Sequence, residues 1–490
     1  MAVNLKLSEV PSREQRLGSI TGYDGSLKDL ATQGCAGCLR NKQRGFQTVS
    51  NCAHIHCINQ LAGLEGTLVV DHAPVGCAGA QICFTSVKSR VPAPPGALQH
   101  AKVISSAIGE SDTVFGALDK LRETVIAANE RHNPREIYIA TSCVSAIIGE
   151  DVNSVCTELS EELGKPVVMA QAEGLKSKIW ASGFDAYCHA ASRARLIDTK
   201  KRNNTVNFVG FSNLGKQYVE PLLARLGLEL ICLTATASVE DFERACSSVA
   251  SWGQCGAQSS YLCSALEEKC GVKYFQSHLP YGGVGFERFF LDLGRYIGKE
   301  DEAKQVIAEE KEKYRETIEK AKKILAGKRA FVALGASFAY EYTRLLYELG
   351  VEVPHAVAYH YDPKLDNPDE SEKIAAATDV IELNLDVETS VNDGQVMETR
   401  QLIKKYNPDV IITRGHDANI IASSFGIPAY ACEIGLILMG YRGLALFATT
   451  LADTLANTNL QKQIAKHYKQ PFTEKLENTA PHSFYKEVAV

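Results

Sequence analysis

The feature that most constrains this chain is an alternation. Short aliphatic and β-branched runs recur at 67–71, 136–140, 205–210, 229–233, 330–334 and 409–413. Between them lie stretches with helical spacing, such as "DTVFGALDKLRETVIAANERH" and "FAYEYTRLLYELG". Strands that alternate with helices of this length join as parallel neighbours, because each helix carries the chain back across the sheet. The unit "RAFVALGASFAYEYTRLLYELGVEVPHAVAY" shows one whole strand–helix–strand crossover. The expected fold is therefore α/β, with three Rossmann-like domains of parallel sheets flanked by helices.

At 490 residues the chain exceeds one ordinary core. The first 48 residues are polar and irregular and read as an N-terminal extension. A first α/β domain is expected over 49–203, joined by the C-terminal segment 445–490. The polar "DTKKRNNTVNFVG" marks the break to a second domain over 204–328. The charged helix "KEDEAKQVIAEEKEKYRETIEKAKKILAGKR" is expected to connect it to a third domain over 329–444. In such sheets ligands bind beyond the carboxyl ends of the strands, which puts the expected cofactor cleft between domains.

With 45% hydrophobic and 22% charged residues and a net charge of −6, nothing invites nucleic acid or an anionic membrane surface as partner. No run approaches the ~18 apolar residues of a membrane helix. The opening "MAVNLKLSEVPSREQR" lacks the apolar core of a signal peptide, so the expected location is the cytoplasm.

Fifteen cysteines then need an account. A disulfide framework does not suit a large chain of this kind. Cys156, Cys188, Cys232, Cys246, Cys263 and Cys270 fall inside helix or strand patterns and read as small buried hydrophobes. Others stand at turns beside glycines. Cys77 ends the run "TLVVDHAPVGC", Cys143 follows a strand in "REIYIATSC", and Cys52 lies in "VSNCAHIHC". Their intervals of 25 and 66 residues are not those of zinc ribbons, which pair cysteines two to four apart. Single thiolates on separate loop tips suit an iron–sulfur cluster gripped from several elements. Three ligands leave such a site open, and a partner chain is the natural source of the rest.

Other motifs carry less. "GFSNLGKQ" fits a phosphate-binding loop until Gln217, where Ser or Thr must hold magnesium, so it reads as a glycine-rich strand-to-helix turn. His54 and His56 read as supporting or packing residues. Cys35 and Cys38 in "GCAGC" read as structural, and Cys57 and Cys83 as buried thiols.

The order Cys52, "HAPVGC" with Cys77, and "TSCVSAIIGED" with Cys143 resembles the catalytic α-subunit of the nitrogenase superfamily, and the resemblance runs through nearly the whole chain after residue 35. It implies that these three cysteines hold half of a P-cluster (8Fe-7S) shared with a homologous β-subunit in an α2β2 core. "SSYLCSALEEKCGVKYF" resembles the segment after the family's cofactor cysteine, which places that ligand at Cys255. "GIPAYACEIGLILMGYRGLALFA" resembles the segment of the second cofactor ligand. Where nitrogenases bear a histidine there, this chain offers Cys432 and Glu433. Trp180 and Phe184 stand where the family has a glutamine and a histidine, and Thr85 where it has an arginine. His416, Asp417 and Asn419 fall where lysines are expected.

These departures resemble the methylthio-alkane reductases within the superfamily. The resemblance implies an active-site cluster of the 8Fe-9S-C type, all-iron, held by Cys255 and Cys432, with Glu433 and His416 as catalytic residues. It implies electrons from an ATP-dependent iron protein with a 4Fe-4S cluster. It also implies reductive cleavage of a carbon–sulfur bond in small thioethers, releasing methanethiol and a hydrocarbon. An iron-only or variant nitrogenase and a cofactor-assembly scaffold remain as alternatives.

Overall fold

The computed structural model describes residues 3–32, 52–77, 102–234, 236–276, 279–366, 380, 383, 387–392, 395–414, 418–432 and 435–479. The chain divides into two compact units. One comprises Met1–Arg16, Ser50–Leu214 and Gly227–Phe275, and the other Leu17–Val49, Gly215–Leu226 and Gln276–Val490. A strand β1 (Gly22–Ser26) precedes all others and belongs to the second unit.

The first unit holds two parallel sheets. In one, β2 (Thr67–His72), β3 (Lys102–Ser105), β4 (Glu136–Thr141) and β5 (Val167–Ala170) stand in the order β3-β2-β4-β5. In the other, β6 (Thr205–Val209), β7 (Glu229–Leu233), β8 (Ala250–Gly253) and β9 (Lys273–Tyr274) run β7-β6-β8-β9. β2 and β4 are buried along their whole length, as strands covered on both faces must be.

Five helices of this unit position the site: α1 (Ala53–Leu61), α2 (Cys143–Ile148), α3 (Ser182–Arg195), α4 (Val239–Ala245) and α5 (Gly256–Cys270). α3 packs against α1, β5 and α5, and so ties the two sheets together. At Gly183 the backbones of α3 and α1 meet so closely that an added Cβ would stand 2.1 Å from the Ala53 carbonyl oxygen. The N-terminal residues, expected to be an irregular extension, are part of this packing. Arg13 and Arg16 reach the two oxygens of the Asp185 carboxylate on α3 at 2.9 and 2.8 Å, and all three side chains are buried.

The second unit is built on one sheet ordered β1-β12-β11-β10-β13-β14. Its strands β10 (Arg329–Leu334), β11 (Glu352–Ala358), β12 (Glu388–Asn392), β13 (Val410–Thr413) and β14 (Ala429–Ala431) are parallel, and β1 joins the β12 edge antiparallel.

The C-terminal segment, expected to join the first block, belongs instead to this unit. Its helix α7 (Gly440–Ala456) buries Leu444, Phe447 and Leu451 and packs against α6 (Glu300–Leu325). The charged helix α6 is therefore more than a connector. Ala303, Val306, Ile307, Ile318, Ala321 and Leu325 form a buried stripe along it, which the excess of charge in its sequence conceals. Among the described residues no helix is long and apolar enough to cross a membrane.

Candidate functional site: thiols at helix starts

Cys52, Cys143 and Cys255 each stand where a helix begins. Cys52 is the extended residue capping α1, Cys143 is the first residue of α2, and Cys255 caps α5. Cys77 closes a single turn beyond β2, its amide donating to the Pro74 carbonyl at 2.9 Å. Unpaired amides at a helix start favour an anionic sulfur, so these positions suit thiolate ligands rather than buried neutral thiols. The twelve described cysteines are all free of disulfides.

Cys52, Cys77 and Cys143 lie near one another. Gly174 packs between two of them: a Cβ built there would stand 3.2 Å from the Cys52 Cβ and 3.6 Å from the Cys143 Sγ. Each of the three is half-buried. Burial pushes the Cys52 thiol up, against the amides of Ile55 and His54, and the neighbouring Cys143 adds to the rise. Burial likewise raises Cys77, helped by Asp71, Cys52 and Cys143. Three thiolates side by side repel one another, and a cationic group between them removes that cost. Among the described residues no set of three His, Cys, Asp or Glu side chains could hold a metal ion. Cys52, Cys77 and Cys143 therefore make no site for a single ion, and sulfur donors on three separate elements are of the kind that an iron–sulfur cluster of several irons uses, with further ligands from elsewhere.

The supports of these turns were partly foreseen. His54 bridges the Thr141 carbonyl at 2.9 Å and Asp71 at 2.8 Å, so it ties α1 to the ends of β2 and β4. His72 bonds Ser106 at 2.9 Å and Glu150 at 2.8 Å. Burial lowers the His72 pKa, against the pull of Glu150. That pair, which the sequence reading did not single out, joins the end of β2 to the residues following α2. His56 packs on Trp180 and Phe184 with ring centroids 4.4 and 5.3 Å apart, and Phe184 meets Phe211 at 5.3 Å. The Phe211 amide then donates to the Gln254 side chain at 2.9 Å. An aromatic row therefore runs from the helix of Cys52 to the residue before Cys255.

Cys255 is only 3% exposed, and its carbonyl accepts from the Ser259 amide at 3.0 Å and the Ser259 hydroxyl at 2.7 Å. Cys432 belongs to the second unit. It follows β14, is buried, and shares a hydrogen bond with the Tyr342 phenol. His416, Asp417, Glu433, Thr85, Cys35, Cys38 and Cys83 lie outside the described residues.

An exposed apolar surface borders the three thiols. The segment Asp112–Phe115 packs on α2, which packs on Gly174–Lys176. Val114, Phe115, Ile147 and Leu175 from these elements are exposed, as is Val75 beside Cys77.

The family described as "Nitrogenase component 1 type Oxidoreductase" matches residues 52–456. The nitrogenase molybdenum-iron protein alpha chain of Methanothermobacter thermautotrophicus is 26% identical over 442 residues, covering 86% of this chain and 89% of its own. The nitrogenase iron-molybdenum cofactor biosynthesis protein NifE of Methanococcus maripaludis is 24% identical over 456 residues, covering 90% and 89%. Among solved structures, "Nitrogenase Cp1 at pH 5" superposes with a TM-score of 0.67 at 22% identity, over 87% of this chain and 91% of that one. The fold is that of this nitrogenase.

Proposed function

Because the chain belongs to the nitrogenase component 1 type oxidoreductases, we propose that it is the catalytic α-type subunit of a nitrogenase-like reductase that cleaves carbon–sulfur bonds in small methylthio-alkanes. The observation that carries the reading is the convergence of Cys52, Cys77 and Cys143 in one compact unit with Cys255 at the head of α5. An all-thiol, three-point site left open on one side is the half-site of a cluster shared with a homologous β-subunit. The exposed Val75, Phe115, Ile147 and Leu175 beside it are the surface such a partner would cover.

In this reading Cys52, Cys77 and Cys143 hold a P-cluster, and Cys255 holds one end of an all-iron sulfide–carbide cofactor. Cys432 is the second ligand, because a soft thiolate suits an iron in a sulfide cluster better than the neighbouring Glu433 carboxylate. When bound, the clusters carry the electrons that an ATP-dependent iron protein delivers. The net reaction consumes two electrons and two protons per thioether, breaking one carbon–sulfur bond to give methanethiol and a hydrocarbon. Trp180 and Phe184 present aromatic surface where nitrogenases place polar side chains, which favours an uncharged, weakly polar substrate and excludes water. Glu433 and His416 are assigned to proton handling.

A second reading has its own support, since NifE, a cofactor biosynthesis protein, aligns along nine-tenths of the chain. It makes the protein a scaffold that matures a cluster and passes it on. The two separate in one experiment. The purified complex, given iron protein, ATP, reductant and a methylthio-alkane, should release methanethiol and the matching hydrocarbon. It should contain iron without stoichiometric molybdenum or vanadium. Cys77→Ala should lose iron and loosen the αβ pair, while Cys255→Ala should stop turnover and keep the interface cluster's spectrum. Absence of turnover together with cluster transfer to a cofactor-free nitrogenase would establish the scaffold. Ammonia formed from dinitrogen as the main product would establish a variant nitrogenase.

A further inference from the structure

Two cysteines that read as packing residues are placed for chemistry of their own. Cys246 follows the last turn of α4 and Cys270 is the last residue of α5. Both thiols engage the same residue: the Ile197 amide donates to the Cys246 Sγ at 3.4 Å, and the Cys270 Sγ donates to the Ile197 carbonyl at 3.3 Å. The two thiols are near enough to shift each other's titration. We propose that Cys246 and Cys270 are a reversible thiol–disulfide pair, a redox modification site that closes β8, Cys255 and α5 into one covalent loop.

The geometry supplies what a disulfide needs. Both sulfurs are held by the backbone of one residue, Ile197, and their bond requires an approach to about 2.0 Å between two helix ends, where the backbone can adjust. The two sulfurs are chemically unequal. The Ile197 amide donates to the Cys246 sulfur and favours its thiolate, while the Cys270 thiol gives its one proton to the Ile197 carbonyl and is held protonated; the Cys246 thiol lies below its ordinary value and Cys270 above. Cys246 is therefore the nucleophile and Cys270 the resolving thiol.

Both sulfurs are buried beneath the segment 196–204, "LIDTKKRNN", most of it outside any helix or strand. Local opening of that segment is the route of access. The co-reactant is a low-molecular-weight disulfide. The Cys246 thiolate attacks one of its sulfurs, forming a mixed disulfide and expelling one thiolate. Cys270, losing its proton, then attacks the Cys246 sulfur and expels the second. Two protein thiols become one disulfide, and the small disulfide is reduced to two thiols. The loop so closed contains Cys255, so oxidation restrains the helix whose first turn presents that residue. The pair holds whether or not Cys255 binds a cofactor.

The test uses the full-length chain with its bound groups, purified without oxygen and equilibrated with mixtures of reduced and oxidised glutathione. After alkylation of free thiols, non-reducing peptide maps should show a Cys246–Cys270 link that grows with the oxidised fraction. The oxidised protein should unfold at a higher temperature than the reduced one. Cys270→Ser should trap glutathione on Cys246, and Cys246→Ser should show neither link nor adduct. Maps in which both thiols remain free at the oxidised limit, or in which either pairs with another cysteine, would overturn the proposal. Should a variant fail to fold, the wild-type maps decide alone.

Discussion

Gly174 sets how closely two of the three convergent thiols can stand. A methyl there would be tight against Cys52, since a Cβ would lie 3.2 Å from its Cβ, and would touch the Cys143 Sγ at 3.6 Å, so a branched side chain has no room without displacing the thiols. Gly174→Val should push the thiols apart at a cost of roughly 1–3 kcal/mol, the usual penalty for overpacking. Iron per chain should fall well below wild type while the circular dichroism of the folded chain is retained. Wild-type iron content in that variant would separate Gly174 from the site. Cys77 and Cys143 were legible because each follows a strand at a turn, and Cys52 through its order with them. Gly174 was not, because only the folded chain brings it against Cys52, more than a hundred residues earlier. His54 was legible as a support, but its partners Asp71 and Thr141 come from two different strands.

Elements were read best where local pattern and tertiary demand agree. β2, β4 and β7 stand within a residue of their expected positions, and in β2 and β4 aliphatic runs buried on both faces leave no other solution. β8, "ASWG", lacks such a run. It becomes a strand only by pairing between β6 and β9, with Ser251 buried. The helix expected across 112–132 breaks at Gly116, which adopts φ of 90°.

The short helix Pro363–Asp366 holds a buried acidic pair. The Asp362 amide donates to Asp366 at 2.9 Å, Ser337 donates to it at 3.3 Å, and Ser19 bonds Asp362. Burial first, and the Asp362 charge second, push Asp366 up to about 7. An unfolded aspartate titrates near ~4, so between those values the folded chain keeps a proton that the unfolded chain releases. The stabilisation is complete below the unfolded value and is lost as pH rises through about 7, by up to about 4 kcal/mol. Denaturant titrations at several pH values should show this loss in the wild type and a flatter profile in Asp366→Asn. Parallel profiles would dissociate the pair from the pH response.

On the scale of the whole molecule, the exposed apolar residues beside the thiols are the clearest sign that the chain works in an assembly. Phe115 is 88% exposed, and isolated chains seldom group such residues around a polar site. Phe115→Asp should weaken association with the β-type subunit by roughly 2 kcal/mol, about thirtyfold, the usual loss at a central aromatic anchor. The variant's own unfolding temperature should not move, because the side chain touches little within its own chain. Sedimentation of the co-expressed pair measures the first and calorimetry the second. Unchanged association would place the partner on another face.

The sequence by itself determined the α/β class, the parallel strands and the strand-end turns that carry Cys77 and Cys143. Those properties follow from local periodicity and turn chemistry, which neighbouring residues carry without help. Only the tertiary structure decided that the N-terminal residues lock into the first unit through Arg13, Arg16 and Asp185. It also decided that the C-terminal helix packs on the long charged one, and that Cys246 and Cys270 meet at Ile197. Each of these joins residues far apart in the chain, and the energy that selects them lies in burial and paired charge across the fold.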